Sequence, residues 1–205
     1  MSKIFDDIQK LSPTTKLLIV TKNRSKEDLR LLINNGNKLF AENKVQEASH
    51  KFTDIDVRSK LQLHLIGPLQ SNKTKLALTT FDVIQTVDRK KLVDVIFEEK
   101  KKLNFIRTNQ FFIQVNIGKE EQKNGVNPED FEELYEYCLI KNLPISGAMC
   151  IPPANEDPIY YFEKMVHIKS KFQNLQLSMG MSSDYQAALK LKSDFIRVGS
   201  YIFEN

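Results

Sequence analysis

The sequence predicts an α/β chain closed into a single TIM (β/α)8 barrel, with parallel strands inside and helices outside, and three observations lead there. The 205 residues suit one barrel core, which commonly runs to about 200–250 residues. Short apolar runs alternate with amphipathic helical stretches from one end of the chain to the other, the order that makes strands parallel and places a helix between each pair. Most of these runs are continuously apolar, as strands buried on both faces are. An open doubly wound sheet is the rival, but it usually has a Gly-rich first turn, and the turn here is Thr21-Lys22-Asn23-Arg24-Ser25.

The elements follow in order. LLIVT (17–21) is the first strand, and Ser25 with Asp28 forms a capping box for a helix that ends near Asn35-Gly36. KLFAEN (38–43) is a second strand, followed by a short helix over KVQEASHKF (44–52). LQLHLIGPL (61–69) is the third, after which Ser71-Asn72 caps a helical stretch. DVIQTV (82–87) is the fourth, and Asp88 caps a long helix whose Leu92, Val95, Ile96 and Leu103 form one stripe. FFIQVNI (111–117) is the fifth. Asn127-Pro128 opens the next helix with a cap and a proline at the first helical position. ISGAMCI (145–151) is the sixth strand, a helix spans about Asp157 to Phe172, and LQLSMG (175–180) is the seventh. A short helix follows Ser182-Ser183-Asp184, and FIRVGSYIF (195–203) is the eighth strand. We expect one domain over residues 1–205.

Composition narrows the function. With 41% hydrophobic and 27% charged residues the chain is an ordinary globular protein. Its N-terminus is charged at nearly every turn and lacks the apolar core of a secretory signal, and no run is long enough to span a membrane, so a cytoplasmic protein is expected. The sequons at Asn23 and Asn72 then carry no meaning. Two cysteines, Cys138 and Cys150, are too few for a disulfide framework or a zinc site, and no metal is expected. The net charge is +4, but the lysines scatter over helix faces without an arginine-aromatic patch, which argues against nucleic acid.

The chemistry sits at the strand ends. In such barrels the active face lies at the C-terminal ends of the strands, and Lys22 follows the first one. In extended backbone, residues two apart point the same way, which would set Arg24 beside Lys22. A neighbouring cation and partial burial lower a lysine's pKa toward the neutral nucleophile that condenses with a carbonyl. Spacing alone favours a lysine that simply snorkels into water. Barrels of this kind hold phosphate with the loops after strands seven and eight. There the chain places Ser178, Met179 and Gly180, then Gly199 and Ser200, which offer close backbone approach and hydroxyl donors. Arg197 interrupts an apolar strand two residues before Gly199; a buried guanidinium needs partners, whether a structural ion pair or a ligand. Together these suggest an aldehyde that carries a phosphate, either pyridoxal 5′-phosphate or a sugar phosphate.

The residues also carry a resemblance. LIVTKNRSKEDLRLLINNGNKLFAENKVQE, LHLIGPLQSNKTK, QVNIGKEEQKNGV, GAMCIPP, LSMGMSSDYQAAL and IRVGSYIF are similar, in order from Leu17 to Phe203, to the successive motifs of the pyridoxal phosphate homeostasis proteins, the YggS-like family. The resemblance implies a barrel of the alanine-racemase N-terminal-domain type (fold type III) that binds pyridoxal 5′-phosphate as a Schiff base, without known turnover, in vitamin B6 homeostasis. It implies Lys22 as the lysine of the internal aldimine and Asn43 as the asparagine beside the ring. Ser178 with the backbone of Met179 and Gly180, and Gly199 and Ser200, match the phosphate cradle, and Arg197 matches the arginine facing the pyridine nitrogen. Lys123 matches a lysine near the site. No residue is expected to be catalytic. The expected partners are the cofactor and the apo-enzymes that need it, and the expected state is a monomer.

Departures from the family pattern are visible. Its Gly-Glu-Asn-Tyr is Ala41-Glu42-Asn43-Lys44, and its Trp-His-Phe-Ile-Gly-His is Leu63-His64-Leu65-Ile66-Gly67-Pro68. His64 is read as a packed strand residue. The chain stops at Asn205, where relatives continue with a short basic tail. The alternatives are an amino-acid racemase using the same cofactor and a sugar-phosphate lyase using Lys22 alone. Racemases of this barrel type use a tyrosine opposite the lysine, from an added domain; Tyr201 is the only tyrosine near the expected site in sequence.

Overall fold

The structure, a computed structural model, describes residues 2–53 and 57–203; the expectation about the chain's end at Asn205 lies outside the described residues. Eight parallel strands close in sequence order into a barrel: β1 Lys16–Val20, β2 Leu39–Glu42, β3 Gln62–Leu65, β4 Val83–Val87, β5 Gln110–Val115, β6 Ile145–Cys150, β7 Gln176–Ser178 and β8 Phe195–Val198. The last strand returns to the first, Leu18 opposite Arg197 and Ile19 opposite Val198. Helices surround them: α1 Ser2–Leu11, α2 Lys26–Asn34, α3 Val45–Phe52, α4 Thr74–Thr80, α5 Lys90–Lys102, α6 Phe131–Ile140, α7 Pro158–Ser170, α8 Tyr185–Lys190 and α9 Ser200–Phe203.

The period of two along each strand separates two cores. Leu17, Ile19, Phe40, Leu63, Leu65, Ile84, Leu177, Ile196 and Val198 face outward and pack with the helices. Leu18, Val20, Ala41, Val83, Phe112 and Phe195 face inward and fill the barrel. Each of the buried Leu, Ile, Val and Phe side chains contributes about 1.5–3 kcal/mol. The inward face also holds His64, Gln85, Ser178 and Arg197, all buried and joined by hydrogen bonds. These polar residues interrupt the apolar runs of β3, β4, β7 and β8.

Several local expectations change. The Ser25–Asp28 capping box forms on α2, and Asp157 caps α7 by accepting from the Ile159 N–H. Asp88 does not cap α5; Arg89 holds the cap position without a side-chain bond, and Asp88 pairs with it. Val93 rather than Val95 completes the buried stripe with Leu92 and Ile96, and Leu103 lies past the helix. Ser71 and Asn72 lie within a 3-10 turn that precedes α4. A second such turn, Pro128–Asp130, leads into α6, and Asn127 bonds the Asp130 carboxylate rather than a backbone N–H. Strand eight ends at Val198, where Gly199 meets the end of β1, and Ser200 opens α9. An N-terminal helix that the sequence reading left out buries Ile4 and Ile8, one turn apart.

Candidate functional site

A cavity of about 460 Å³ opens at the C-terminal ends of the strands, within the usual range for small-molecule sites, about 300–1,000 Å³. Val20 and Lys22 line it from the end of β1, Asn43 from the end of β2, and Ile66, Gly67 and Pro68 from the end of β3. Ile151 enters from β6, Met181, Ser182 and Ser183 from the loop before α8, and Arg197, Gly199 and Ser200 from β8 and its exit.

Lys22 is exposed and lies in a turn rather than in the strand, because β1 stops at Val20 and Asn23 takes a left-handed conformation, φ 58°. The expected pairing with Arg24 along an extended segment therefore does not form. Arg24 stacks on the Phe203 ring, 4.3 Å from its centroid, and does not line the cavity.

Arg197 is 3% exposed. It donates from Nη1 to the Ser178 hydroxyl at 2.9 Å and from Nη2 to the Cys150 carbonyl at 2.8 Å. Both partners are neutral and, among the described residues, no carboxylate forms a contact ion pair with it. Of the two readings the sequence leaves open, the contact pair is not the one found, and the Asp184 carboxylate acts on the guanidinium only at longer range. Burial holds this guanidinium below its ordinary pKa, yet arginine remains protonated. A buried cation at a cavity wall, in contact with neutral groups only, is a binding group for an anion or a lone pair. The chain behind it is directional. Ser178 Oγ donates to Gln85 Oε1 at 2.7 Å, leaving its lone pairs to Arg197. The Gln85 amide meets His64 Nδ1 at 2.8 Å, and burial pushes the His64 pKa down to about 3. Nδ1 then accepts and the ring is neutral.

Three expected cradle residues take other places. Ser178 is fully buried and its hydroxyl is committed within the barrel, so it does not reach the cavity. The Met179 N–H donates to the Phe195 carbonyl, and its side chain lies in the outer core. Gly180 has φ 96°, accepts from the Arg197 N–H, and lets α8 pack close: a Cβ there would lie 2.6 Å from Ala188 Cβ. Met181, Ser182 and Ser183, one turn later, line the cavity instead. In the sequence the two serines stand only as residues ahead of a short helix. Their signal was position, since they follow strand seven directly.

The other expected residues converge. Gly199 is close to β1: a Cβ would lie 2.9 Å from the Val20 carbonyl oxygen. Gly67 is tighter still against the Asn43 carbonyl, 2.0 Å. Asn43 Oδ1 is buried without a partner, an acceptor that a ligand donor would satisfy. Lys123 lies in an adjoining cavity of about 170 Å³, paired with Glu120 and donating to the Pro152 carbonyl at 3.0 Å. Lys44 is exposed at the cap of α3. An amine, a guanidinium whose contacts are neutral, an orphaned amide oxygen and hydroxyls from Ser182, Ser183 and Ser200 form a polar set that fits a phosphorylated aldehyde with a ring acceptor.

Other chemistries find little support. Burial pushes both thiols, Cys138 and Cys150, up to about 12, so neither is a nucleophile at neutral pH. Among the described residues no cluster of metal-ligating side chains occurs and no helix is long and apolar enough to cross a membrane.

No known family model matches the chain. Comparison with individual proteins is informative. The chain is 35% identical to the pyridoxal phosphate homeostasis protein of Aquifex aeolicus, covering 99% of this chain and 95% of that one. It is 36% identical to the protein of that name from Pasteurella multocida, covering 92% and 85%. Among solved structures, PipY of Synechococcus elongatus with pyridoxal phosphate bound superposes with a TM-score of 0.82 at 29% identity, over 98% of both chains. An alanine racemase of Clostridium difficile shares the fold, TM-score 0.75 at 15% identity, over 98% of this chain and 56% of its own. With the homeostasis proteins matched nearly end to end above 30% identity, the chain belongs to the pyridoxal phosphate homeostasis protein family.

Proposed function

We propose that this chain, as one domain over residues 1–205, binds pyridoxal 5′-phosphate and serves cytoplasmic homeostasis of that cofactor. The observation that carries the reading is that Lys22 and Arg197, whose hydrogen-bond partners are neutral, line one cavity. The cofactor supplies an aldehyde that condenses with an amine, releasing one water. Lys22 Nζ is the amine in reach of the cavity. Arg197 holds the ring nitrogen as a hydrogen-bond donor and, staying charged, keeps that nitrogen unprotonated. Asn43 orients the ring edge. Ser182, Ser183, Ser200 and the backbone at Gly199 hold the phosphate, with Ser178, Met179 and Gly180 shaping the loop from behind.

The reading is of a carrier, not a catalyst of turnover. Racemisation needs a proton donor on each face of the substrate, and among the described residues no tyrosine lines the cavity. Tyr185 bonds Asp7, Tyr161 bonds Glu156, and Tyr137 bonds Asp94. Tyr201 is 52% exposed. We propose further that the protein works as a monomer and passes its cofactor to apo-enzymes. Purified protein incubated with pyridoxal 5′-phosphate should take up one equivalent, fixed on Lys22 by borohydride, and should activate an apo-enzyme when mixed with it unreduced. Failure to take up the cofactor would sink the reading. Repeated α-deuterium incorporation into alanine, serine or glutamate with inversion would replace it with the racemase.

A further inference from the structure

Among the described residues, the buried Asp, Glu, Lys and Arg side chains are Glu42, Lys51 and Arg197. Arg197 belongs to the cavity wall. The other two lie on the outward side of the wall, since Glu42 follows Ala41, which faces the barrel interior. Lys51, on α3, is 5% exposed. Its ammonium has three donors, and each has an acceptor: the Thr21 carbonyl at 2.6 Å, Glu42 Oε1 at 2.7 Å and Glu47 Oε1 at 3.1 Å. The two carboxylates each take a second donor, and both donors come from the turn that bears Lys22. Thr21 Oγ1 donates to Glu42 Oε1 at 2.6 Å, and the Asn23 N–H donates to Glu47 Oε1 at 2.7 Å. Residues 21 and 23, on either side of Lys22, are thus held through three bonds to one buried charge cluster.

We propose that Lys51, with Glu42 and Glu47, is a positioning device for Lys22: it fixes the turn so that Nζ of the exposed lysine meets the ligand's carbonyl carbon. The inference rests on the proposed function of the cavity. An exposed lysine on a free turn would search many rotamers. A turn pinned at the residues before and after it confines that search to the side chain alone. Lys51 itself is excluded as the reacting amine because all three of its protons are engaged and no lone pair is free. The cluster serves the attachment step and not the phosphate end, which lies on the loops after β7 and β8.

The test separates those two ends. Pyridoxine 5′-phosphate has the cofactor's ring and phosphate but an alcohol where the aldehyde stands, so it reports non-covalent binding only. Glu47→Ala frees the Asn23 N–H while leaving Lys51 with Glu42, and Lys51→Met removes the hub. With pyridoxal 5′-phosphate, attachment to Lys22, read by borohydride trapping and peptide mass, should slow about tenfold or more in each, as displacement of a reacting group does. Affinity for pyridoxine 5′-phosphate should stay within about twofold of the unchanged protein, because the phosphate end is untouched. Glu47→Gln keeps the oxygen that accepts from Asn23 and should attach at close to the original rate. If Lys51→Met does not fold, Glu47→Ala, altered at a partly exposed carboxylate, carries the test. An unchanged attachment rate in folded Glu47→Ala, equal slowing in Glu47→Gln, or a parallel loss of pyridoxine 5′-phosphate affinity would each overturn the inference. Failure of the unaltered protein to bind pyridoxal 5′-phosphate would instead remove the function on which it rests.

Discussion

Lys51 and Arg197 are both buried cations, one behind the turn that bears Lys22 and one on the cavity wall, and the protein solvates them in opposite ways. Lys51 has two carboxylates and a carbonyl. Arg197 has a serine hydroxyl and a carbonyl. The first set neutralises its charge, so Lys51 is complete without a ligand and its role is architectural. The second satisfies hydrogen bonds with neutral groups and leaves the charge offset only at longer range, by Asp184, so it favours an electron-rich atom in the cavity. Counting charges around a buried cation thus separates a group that holds the fold from one that holds a ligand.

The largest expected effect follows from breaking the neutralised cluster. Lys51→Met leaves Glu42, fully buried and with its pKa already raised by burial, without its cation. Loss of one partner of a buried pair costs about 3–5 kcal/mol. The urea midpoint should fall accordingly, and a shift equivalent to less than about 1 kcal/mol, the scale of a surface pair, would show that the cluster is not the buried network described.

The neutral chain behind Arg197 gives the next effect, through pH. His64 has its pKa depressed to about 3 from an ordinary 6.5, by burial first and by Lys16 second. Between these values the unfolded chain binds a proton that the folded one refuses. His64's contribution is therefore complete above pH 6.5 and is lost as pH falls, at up to about 1.4 kcal/mol per pH unit. Glu42, raised by burial, titrates in the opposite sense, so the measurement is a difference. Relative to His64→Asn, the wild-type stability between pH 6.5 and 4 should fall by up to about 3 kcal/mol more. Parallel pH profiles would mean that His64 is charged or solvated.

A smaller effect tests the join between cluster and turn. Thr21→Val keeps shape and removes one hydroxyl donor to a carboxylate, a bond worth about 1.5–3 kcal/mol. Urea melts should register a loss of about 2 kcal/mol. No loss would mean that Glu42 finds another donor.

The same contrast explains what was legible in the sequence. Strands buried on both faces announce themselves as apolar runs, so the order of elements and the barrel could be read directly. Lys22 and Arg197 were legible because each breaks such a run. Lys51 breaks nothing: a lysine on a helix is by default a solvated one, and only the fold shows the wall of β1 and β2 behind it. Ser178 failed for a related reason. Its place on strand seven suggested the cavity, but its inward register at the last residue of β7 ties its hydroxyl to Gln85 and Arg197. The turn at Lys22 was misjudged because the left-handed Asn23 ends the extended geometry that would have aligned Arg24.

The smallest effect on stability belongs to Arg197, and it sharpens the comparison most. Arg197→Met removes a buried guanidinium that no carboxylate contacts, and the methionine fills most of its volume. The Cys150 carbonyl loses one donor, a cost of about 1–3 kcal/mol. Relief of the desolvated charge offsets it, as exchange of buried ions for apolar groups is often neutral or stabilising. Stability without ligand should remain within about 1 kcal/mol of the original. Ligand linkage should behave differently. A saturating ligand at a hundred times its Kd stabilises by about 2.7 kcal/mol, so added pyridoxal 5′-phosphate should raise the melting temperature of the unaltered protein and much less that of Arg197→Met. A variant that lost as much stability as Lys51→Met, or that kept the full ligand-induced shift, would place Arg197 with the architectural cations after all.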